Sequence, residues 1–583
     1  MSPRRMRSIP AITAAASLAI VPALAAVAAE SPAQGAATTW VGTATRSQAS
    51  FFVSKLDATR LGPTSTANTV HLAIGLQPRH QAAERRAMRA MYTRGSGHFH
   101  QFLTRRQFTS RYAPTATQVS AVGHYLARHG FHGVATDANR MVVTANGTIG
   151  QAEHAFHTSI ANFAVNGHTL FANTSRAMVP QRLDGTVLSV IGLSNLRRPM
   201  PHPVTTAKAG SPDPFVILPP KKFRNTYEAA GTHTGRNTAI AVFTEGKLRQ
   251  VYRDLRTAER KYDLPRVDIS QVNVGPQSAD TAGLDEWDMD TQTSTAMATN
   301  VRHLYMYNVG ALTDNVIVPD FNKFVSQNKA RALSASIGGC DIGPLLDGSL
   351  VTTDEIEVEG SMQGQTIFAS SGDNGAGCMY GAAVGVPTVP TGTNWPASGA
   401  FTTAVGGTSL LVDKSGNRVK EVGWIGSGGG FSEVETPGWW TDQTDVGYQN
   451  QYVSGGRAVP DIALDADPNF FTAAAVVVHG AVEGVGGTSL SSPLMLGSWA
   501  RLESRHHNRL GLASIDLYRL YNKVNPAVYS NGIVVAPNPN PKPVKGLTDI
   551  EVGDNGPYLA RPGYDEVTGL GAPNVRQLER QLR

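Results

Sequence analysis

The chain has 583 residues, 41% of them hydrophobic and 16% charged, with 59 glycines and 34 prolines. That balance excludes a disordered chain, and the length exceeds one ordinary domain, so two or three domains with many loops are expected. The net charge of +6 hides a split: residues 1–200 hold 20 Lys and Arg against 6 Asp and Glu (+14), and the rest hold 31 against 39 (−8).

In chain order, Arg4, Arg5 and Arg7 precede an alanine-rich apolar stretch from Ile9 to Ala29 that ends in "ALAAVAAE". A basic start, an apolar core and a small-residue end read as a signal peptide over 1–29, cleaved near Ala26–Ala29. A membrane anchor is the poorer reading, because the stretch barely spans a bilayer and ends in cleavable residues. No other segment is long and apolar enough to cross, so a secreted protein (extracellular or periplasmic) with no stable membrane insertion is expected.

Residues 38–196 form one unit. "TVHLAIGLQ" (69–77) alternates like a strand, while 79–94 and 114–131 have helical periodicity, the second capped by Thr115 or Thr117. "RMVVTANGTI" and "FAVNGHTLFAN" are strand-like with Asn-Gly turn signals. The pattern predicts an α+β sandwich. The stretch 197–220 is rich in proline and small residues and reads as an exposed linker open to proteolysis. From 221 to 583, short apolar runs ending in polar or Gly-rich loops alternate with helical segments, which predicts an α/β domain with buried parallel strands. Its working residues belong at the carboxyl ends of those strands.

The basic first part carries no recognisable nucleic-acid module, and export argues against that partner. It more naturally docks onto the acidic part that follows. Cys340 and Cys378 are the only cysteines, too few for a zinc ribbon, and no HExxH is present. An even pair in an exported chain is a disulfide candidate.

The hexapeptide "VGGTSL" occurs at 405–410 and again at 485–490. Ser409 is followed by a strand-like run. Ser489 is followed by "SSPLMLGSWARLESRHH", where Pro493 suits the first turn of a long helix. A serine at a helix start, after a Gly-rich turn, gains N–H donors and the positive dipole end. Ser489 is therefore the candidate nucleophile, with a helix cap as the plainer alternative, and Ser409 is its structural echo.

A serine needs a base. His479, ten residues before Ser489 on an expected strand, is the nearest histidine in sequence. None stands in the "HGTH" helix start used by classical subtilisins, and His506–His507 read as the polar end of a surface helix. A carboxylate is the other option: in the helix candidate 283–300, Glu286 and Asp290 share one face, although a solvated acidic helix start would look the same. Asp373 in "FASSGDNG" ends an expected strand, where turn chemistry is the competing explanation.

With "EWDMD", "SASIGG", "ASSGDNG", "VGGTSLSSP" and "DIEVGDNG…PGYDEVTGLG" in this order and spacing, the chain from about Val216 onward resembles the sedolisins, the serine-carboxyl peptidases, and the N-terminal unit is similar to their pro-domain. The resemblance implies a subtilisin-like α/β domain behind a ferredoxin-like α+β pro-domain that serves as chaperone and intramolecular inhibitor. It implies Ser489 as nucleophile, Glu286 as general base, Asp290 orienting Glu286, and Asp373 completing an oxyanion hole with the Ser489 N–H. Substrate would add as a strand along "SASIGG", at Ser336, Gly338 and Gly339, near the open loop "GSGGGFS". The loops bearing Cys340 and Cys378 would be neighbours and form the disulfide. One structural Ca²⁺ would be held by Asp549 and Asp565 with carbonyls of Ile550, Arg561 and Gly563, Arg561 standing where the family usually has glycine. The expected activity is a secreted, monomeric, acid-active endopeptidase acting on polypeptides, made as a zymogen activated at low pH. A tripeptidyl-peptidase and an inactive binding homologue are the alternatives, and the lack of G-x-S-x-G argues against a lipase or esterase.

Acid activity follows from proton demands. Asp373 must carry a proton to donate a hydrogen bond, while Glu286 must be able to accept one. Both hold together in mildly acidic solution.

Overall fold

The computed structural model describes residues 39–195, 216–380, 391–441, 456–526 and 540–582, with short strands at 200–201, 205–206, 388–389, 528–530 and 533–536. The expected signal segment 1–29 and most of the expected 197–220 linker lie outside the described residues. Among the described residues, no helix is long and apolar enough to cross a membrane.

The N-terminal unit is the expected α+β arrangement. Its main sheet runs 132–136, 142–148, 69–76, 187–191, all antiparallel. Strand Thr69–Leu76 is buried on both sides. Leu72, Ile74 and Leu76 pack against the unit's own helices, and Ala73 joins the core of the peptidase part. Helix Ala116–Arg128 begins at Thr115, whose side chain accepts from Gln118 N while Gln118 reaches back, a full capping box. The two Asn-Gly signals part company. Asn166–Gly167, both at positive φ (46° and 79°), turn the hairpin between 160–165 and 168–173. Asn146–Gly147 lies inside strand Val142–Thr148, where the Asn146 side chain bonds the ring of His71 on the neighbouring strand.

The second part is built on one large sheet ordered 269–273, 303–309, 239–245, 332–335, 366–370, 403–412, 418–423, with 462–465 also paired to 403–412. All of these pairings are parallel except that of 418–423. The "SASIGG" stretch is split at Ser336: 332–335 belongs to the sheet, while Ile337–Cys340 forms a separate strand.

Two helices, Leu284–Ala298 and Thr488–Arg505, are almost wholly buried and pack together. They approach so closely at Gly497 that a Cβ there would lie 2.5 Å from the Ser294 carbonyl oxygen. The first helix is polar in sequence yet buries well because its hydroxyls serve themselves. Thr291, Thr293, Ser294 and Thr295 donate to the carbonyls four residues back, at 2.6–2.8 Å. Gln292 clamps strand 472–478 through both the N–H and the carbonyl of Val477.

The N-terminal unit meets the second part through polar contacts around helix Gln81–Tyr92. Gln81 and Arg85 donate to Glu355, Asn139 donates to Glu359, and the Tyr92 hydroxyl donates to the Ser361 carbonyl while accepting from Leu512 N.

Candidate active site

Ser489 is the second residue of its helix, where backbone N–H groups have no intrahelical acceptor. The turn before it is set by Gly487, at φ 112°. A Cβ at Gly487 would also stand 2.6 Å from Asp373 Oδ2, so position 487 admits glycine on both counts. Pro493 sits in the second turn rather than the expected first. It has no N–H to give the Ser489 carbonyl four residues back.

The Ser489 hydroxyl lies close enough to the Glu286 carboxylate to lower its proton affinity, and neither group is hydrogen-bonded to anything else among the described residues, nor to the other in this structure. Glu286 and Asp290 lie one turn apart on helix 284–298 and are fully buried, which removes the solvated acidic helix as an explanation. Asp290 Oδ1 accepts from the Ser336 hydroxyl at 2.7 Å. Among the described residues no hydrogen bond joins it to Glu286, which it is expected to orient; Asp290 acts on Glu286 through charge. Burial pushes the proton affinity of both well above the ordinary carboxylate range, and for Glu286 the neighbouring Asp290 adds to it. The Ser489 and Ser336 hydroxyls pull the other way.

Asp373 follows strand Thr366–Ser370, as expected. Its Oδ1 accepts from both the backbone N–H and the hydroxyl of Thr488, each at 2.8 Å. Thr488 Oγ1 in turn accepts from Gly372 N. Sequence reasoning passed over Thr488; its place directly before the serine in the GGTS run was the available signal.

No described histidine hydrogen-bonds Ser489. His479 is not on a strand but at the exposed hairpin turn between 472–478 and 481–486, its N–H bonded to Asp254. His506 bonds the Glu579 carbonyl oxygen. Asp254 also explains Asp288, which points away from the serine. Burial and the Asp254 carboxyl push Asp288 up to about 9.

Of the three expected substrate contacts, Gly338 lies on the middle strand of a small three-stranded sheet, where it pairs antiparallel with Met200. Gly339 pairs with Trp395 on the opposite edge. The Ser336 side chain supports Asp290 rather than facing a ligand. The 426–432 loop packs on its own chain, with Gly428 N donating to the Gly372 carbonyl at 2.7 Å. Cys340 and Cys378 form the expected disulfide, with Cα atoms 5.0 Å apart.

Over 544 residues the chain is 31% identical to sedolisin from Pseudomonas sp. (strain 101), covering 88% of this chain and 87% of that protein. The chain belongs to the sedolisin family. Sedolisins are serine-type peptidases, and this chain is one. It is 29% identical over 581 residues to xanthomonalisin from Xanthomonas sp. (strain T-22), covering 90% of this chain and 67% of that protein. It is also 27% identical over 367 residues to tripeptidyl-peptidase 1 of Dictyostelium discoideum, covering 60% and 54%. The solved structure of Pseudomonas sedolisin, a serine-carboxyl proteinase complexed with two molecules of pseudo-iodotyrostatin, aligns at 28% identity. Its TM-score is 0.54, over 64% of this chain and 98% of that one. Residues 57–196 match the family described as "Pro-kumamolisin, activation domain". The fold is thus the subtilisin-like sedolisin fold, preceded by an activation domain.

The loop expected to hold calcium is compact. Gly563 N donates to Asp549 Oδ2 at 2.7 Å and Arg561 N to Asp565 Oδ2 at 3.2 Å, so both carboxylates meet the same 561–563 turn. Asp565 and Ile550 are buried, and the exposed Arg561 guanidinium lies 3.7 Å from Glu566. Among the described residues, no three His, Cys, Asp or Glu side chains gather into a metal cluster. Two carboxylates supplemented by carbonyls are still a hard-oxygen set that suits Ca²⁺.

Proposed function

We propose that the chain is a secreted, acid-active serine-carboxyl endopeptidase made as a zymogen, in which Glu286 is the base for Ser489. The observation that carries this is the Ser489 hydroxyl facing a buried carboxylate with no described histidine in reach. Glu286 takes the hydroxyl proton as Oγ attacks the peptide carbonyl carbon. The resulting oxyanion accepts from the Ser489 N–H and from a protonated Asp373. Glu286 returns its proton to the departing amine, leaving an acyl-enzyme that water cleaves by the same route. Asp290, fixed by Ser336, sits beside Glu286, and its carboxyl raises the proton affinity of Glu286.

Endopeptidase action is supported by two described strands flanking Ser489. Met200–Pro201 pairs with Ile337–Gly338, beside Ser336, and Thr205–Thr206 pairs with Val485–Gly486, just ahead of the serine. Chain is thus accepted on both sides of the nucleophile, the opposite of a blocked exopeptidase cleft. Peptides with an acetylated N-terminus are expected to be cleaved internally as fast as free ones; release of tripeptides from free N-termini alone would select the exopeptidase. We infer that activation cleavage falls between Pro201 and Thr205, the interval these two strands flank. N-terminal sequencing of the product formed on acidification checks this, and a first cut outside that interval contradicts it.

Asp373→Asn gives a sharper test of the oxyanion role. Asparagine keeps an oxygen for Thr488 and presents an N–H donor that needs no proton. The alkaline limb of kcat/KM is expected to move up by at least one pH unit. An unmoved alkaline limb rules out Asp373 as the titrating donor.

Asp549 and Asp565, with the Ile550, Arg561 and Gly563 carbonyls, would hold one structural Ca²⁺, which would neutralise their charge and tie 549–565 together. Chelation is expected to lower Tm by roughly 5–10 °C, as loss of a bound ion destabilises by mass action, and excess Ca²⁺ should restore it. Asp549→Asn should abolish that response. A Tm indifferent to both treatments contradicts the site.

A further inference from the structure

A cleft of about 760 Å³ opens between the activation domain and the peptidase. Residues 100–106 form one wall; 327–331, Gln363 and 507–509 form the other. Arg105, Arg106, Arg331 and Arg509 line it together with His100 and His507, and no Asp or Glu does. Such a gathering of cations is unfavourable unless an anion answers it.

The arginines are not committed to partners elsewhere. Arg331 is oriented by its bonds to Asn328 Oδ1 and the Gln363 carbonyl, both neutral. Burial and nearby Arg302 lower its proton affinity, against an opposing pull from Glu503. Glu503 is the acid nearest in effect, but its oxygens already accept from Leu510 N and Gly511 N at 3.2 and 3.1 Å. Arg105 donates to the Ser326 carbonyl and, among the described residues, meets the Glu359 carboxylate through charge alone. Arg106 and Arg509 are exposed and make no hydrogen bond or ion pair among the described residues.

We propose that this cleft binds a short oligoanion whose phosphate or sulfate groups are spaced to meet arginines from both walls. Guanidinium forks match such groups two bonds at a time. Because the walls belong to different domains, the ligand binds only while the activation domain is seated. It therefore stabilises the docked zymogen and slows its release. The site is lost once the activation domain leaves. This goes beyond the peptidase activity and does not depend on which residue is the base.

The test uses the full chain carrying Ser489→Ala, titrated calorimetrically with tripolyphosphate at pH 6, with Tm followed in parallel. One saturable site and a concentration-dependent rise in Tm are expected, and sodium chloride at matched ionic strength should give neither. Arg106→Gln with Arg509→Gln, both exposed positions, should weaken binding at least tenfold. Arg60→Gln, an exposed arginine outside the cleft, should not. A sulfated tetrasaccharide separates the sources: competition at the same site supports a sulfated glycan, and binding of tripolyphosphate alone supports a free oligophosphate. An equal response to chloride, or unaltered binding in the Arg106/Arg509 double variant, overturns the proposal.

Discussion

Ser489→Ala is expected to lower kcat on a denatured protein substrate by roughly four to six orders of magnitude, with KM little changed, because the lost group acts only in the chemical step. Glu286→Gln should cost nearly as much. Glutamine keeps the shape of the side chain but cannot take the proton. Since the two residues act as one unit, the double variant should be no worse than the worse single one. Burst kinetics with an active ester substrate check the assignment, as the acyl-enzyme must vanish in both variants. A Glu286→Gln enzyme within tenfold of wild type contradicts the pairing. Ser489 and Glu286 are both buried, so the cleaved and uncleaved proteins should be compared for Tm to separate chemistry from folding.

The second large effect concerns how the activation domain responds to acid. The opposite charges of the two parts predict that docking loosens as pH falls. The interface itself contains groups of both signs. Glu84, on helix 81–92, is buried, and burial, with Glu355 and Glu359 adding and Arg85 opposing, pushes it up to about 8. On release it would return to its ordinary value near 4.5, so the docked state holds the extra proton between those limits. Docking through Glu84 therefore tightens as pH falls from 8 to 4.5, by up to roughly 10³-fold. His100 has the reverse sign. Burial, then Arg519, Arg94 and His506 facing it, lowers it from 6.5 to about 4. The released state holds its proton in that window, and docking weakens as pH falls through it.

Between 6.5 and 4.5 these two groups oppose each other. Glutamine mimics the protonated carboxyl at Glu84 and the neutral ring at His100, the forms that docking favours, so Glu84→Gln and His100→Gln should each release the domain at lower pH than wild type. The full chain with Ser489→Ala, nicked in the linker by an added protease and run on size exclusion from pH 7 to 3.5, reads the release directly. If both variants release at the wild-type pH, the interface does not control the response to acid.

Much of this was legible in the sequence because it depends on local chemistry. Thr115 followed three residues later by Gln118 makes its capping box without help from the rest of the fold. Asn166–Gly167 turns its hairpin for the same reason. Ser489, Glu286 and Asp373 stood out as reactive types at element ends, and the structure brings these distant segments together. Other features depend on tertiary contacts that no local pattern carries. Asn146–Gly147 has the same turn signal as Asn166–Gly167, but pairing on both sides of the sheet holds it extended. His479 is placed by a hairpin whose turn bonds Asp254, two hundred residues earlier in the chain. Ser336 is expected to contact substrate because "SASIGG" resembles the family's substrate-binding strand, yet the strand breaks at Ser336, whose hydroxyl bonds Asp290.

Burial raises Glu286, which complicates a simple picture of an acid enzyme, but it does not remove the bell. Activity needs one proton on Asp373 and none on Glu286, so the rate peaks between their two apparent pKa values whichever is higher; only the active fraction changes. The most direct measurement is the pH dependence of kcat/KM from pH 2 to 9 for wild type and Glu286→Gln. A bell with its maximum in the acid range in wild type, abolished in the variant, is the predicted result. A maximum at neutral pH that survives Glu286→Gln would mean that a carboxylate is not the base, and the serine-carboxyl reading would be wrong.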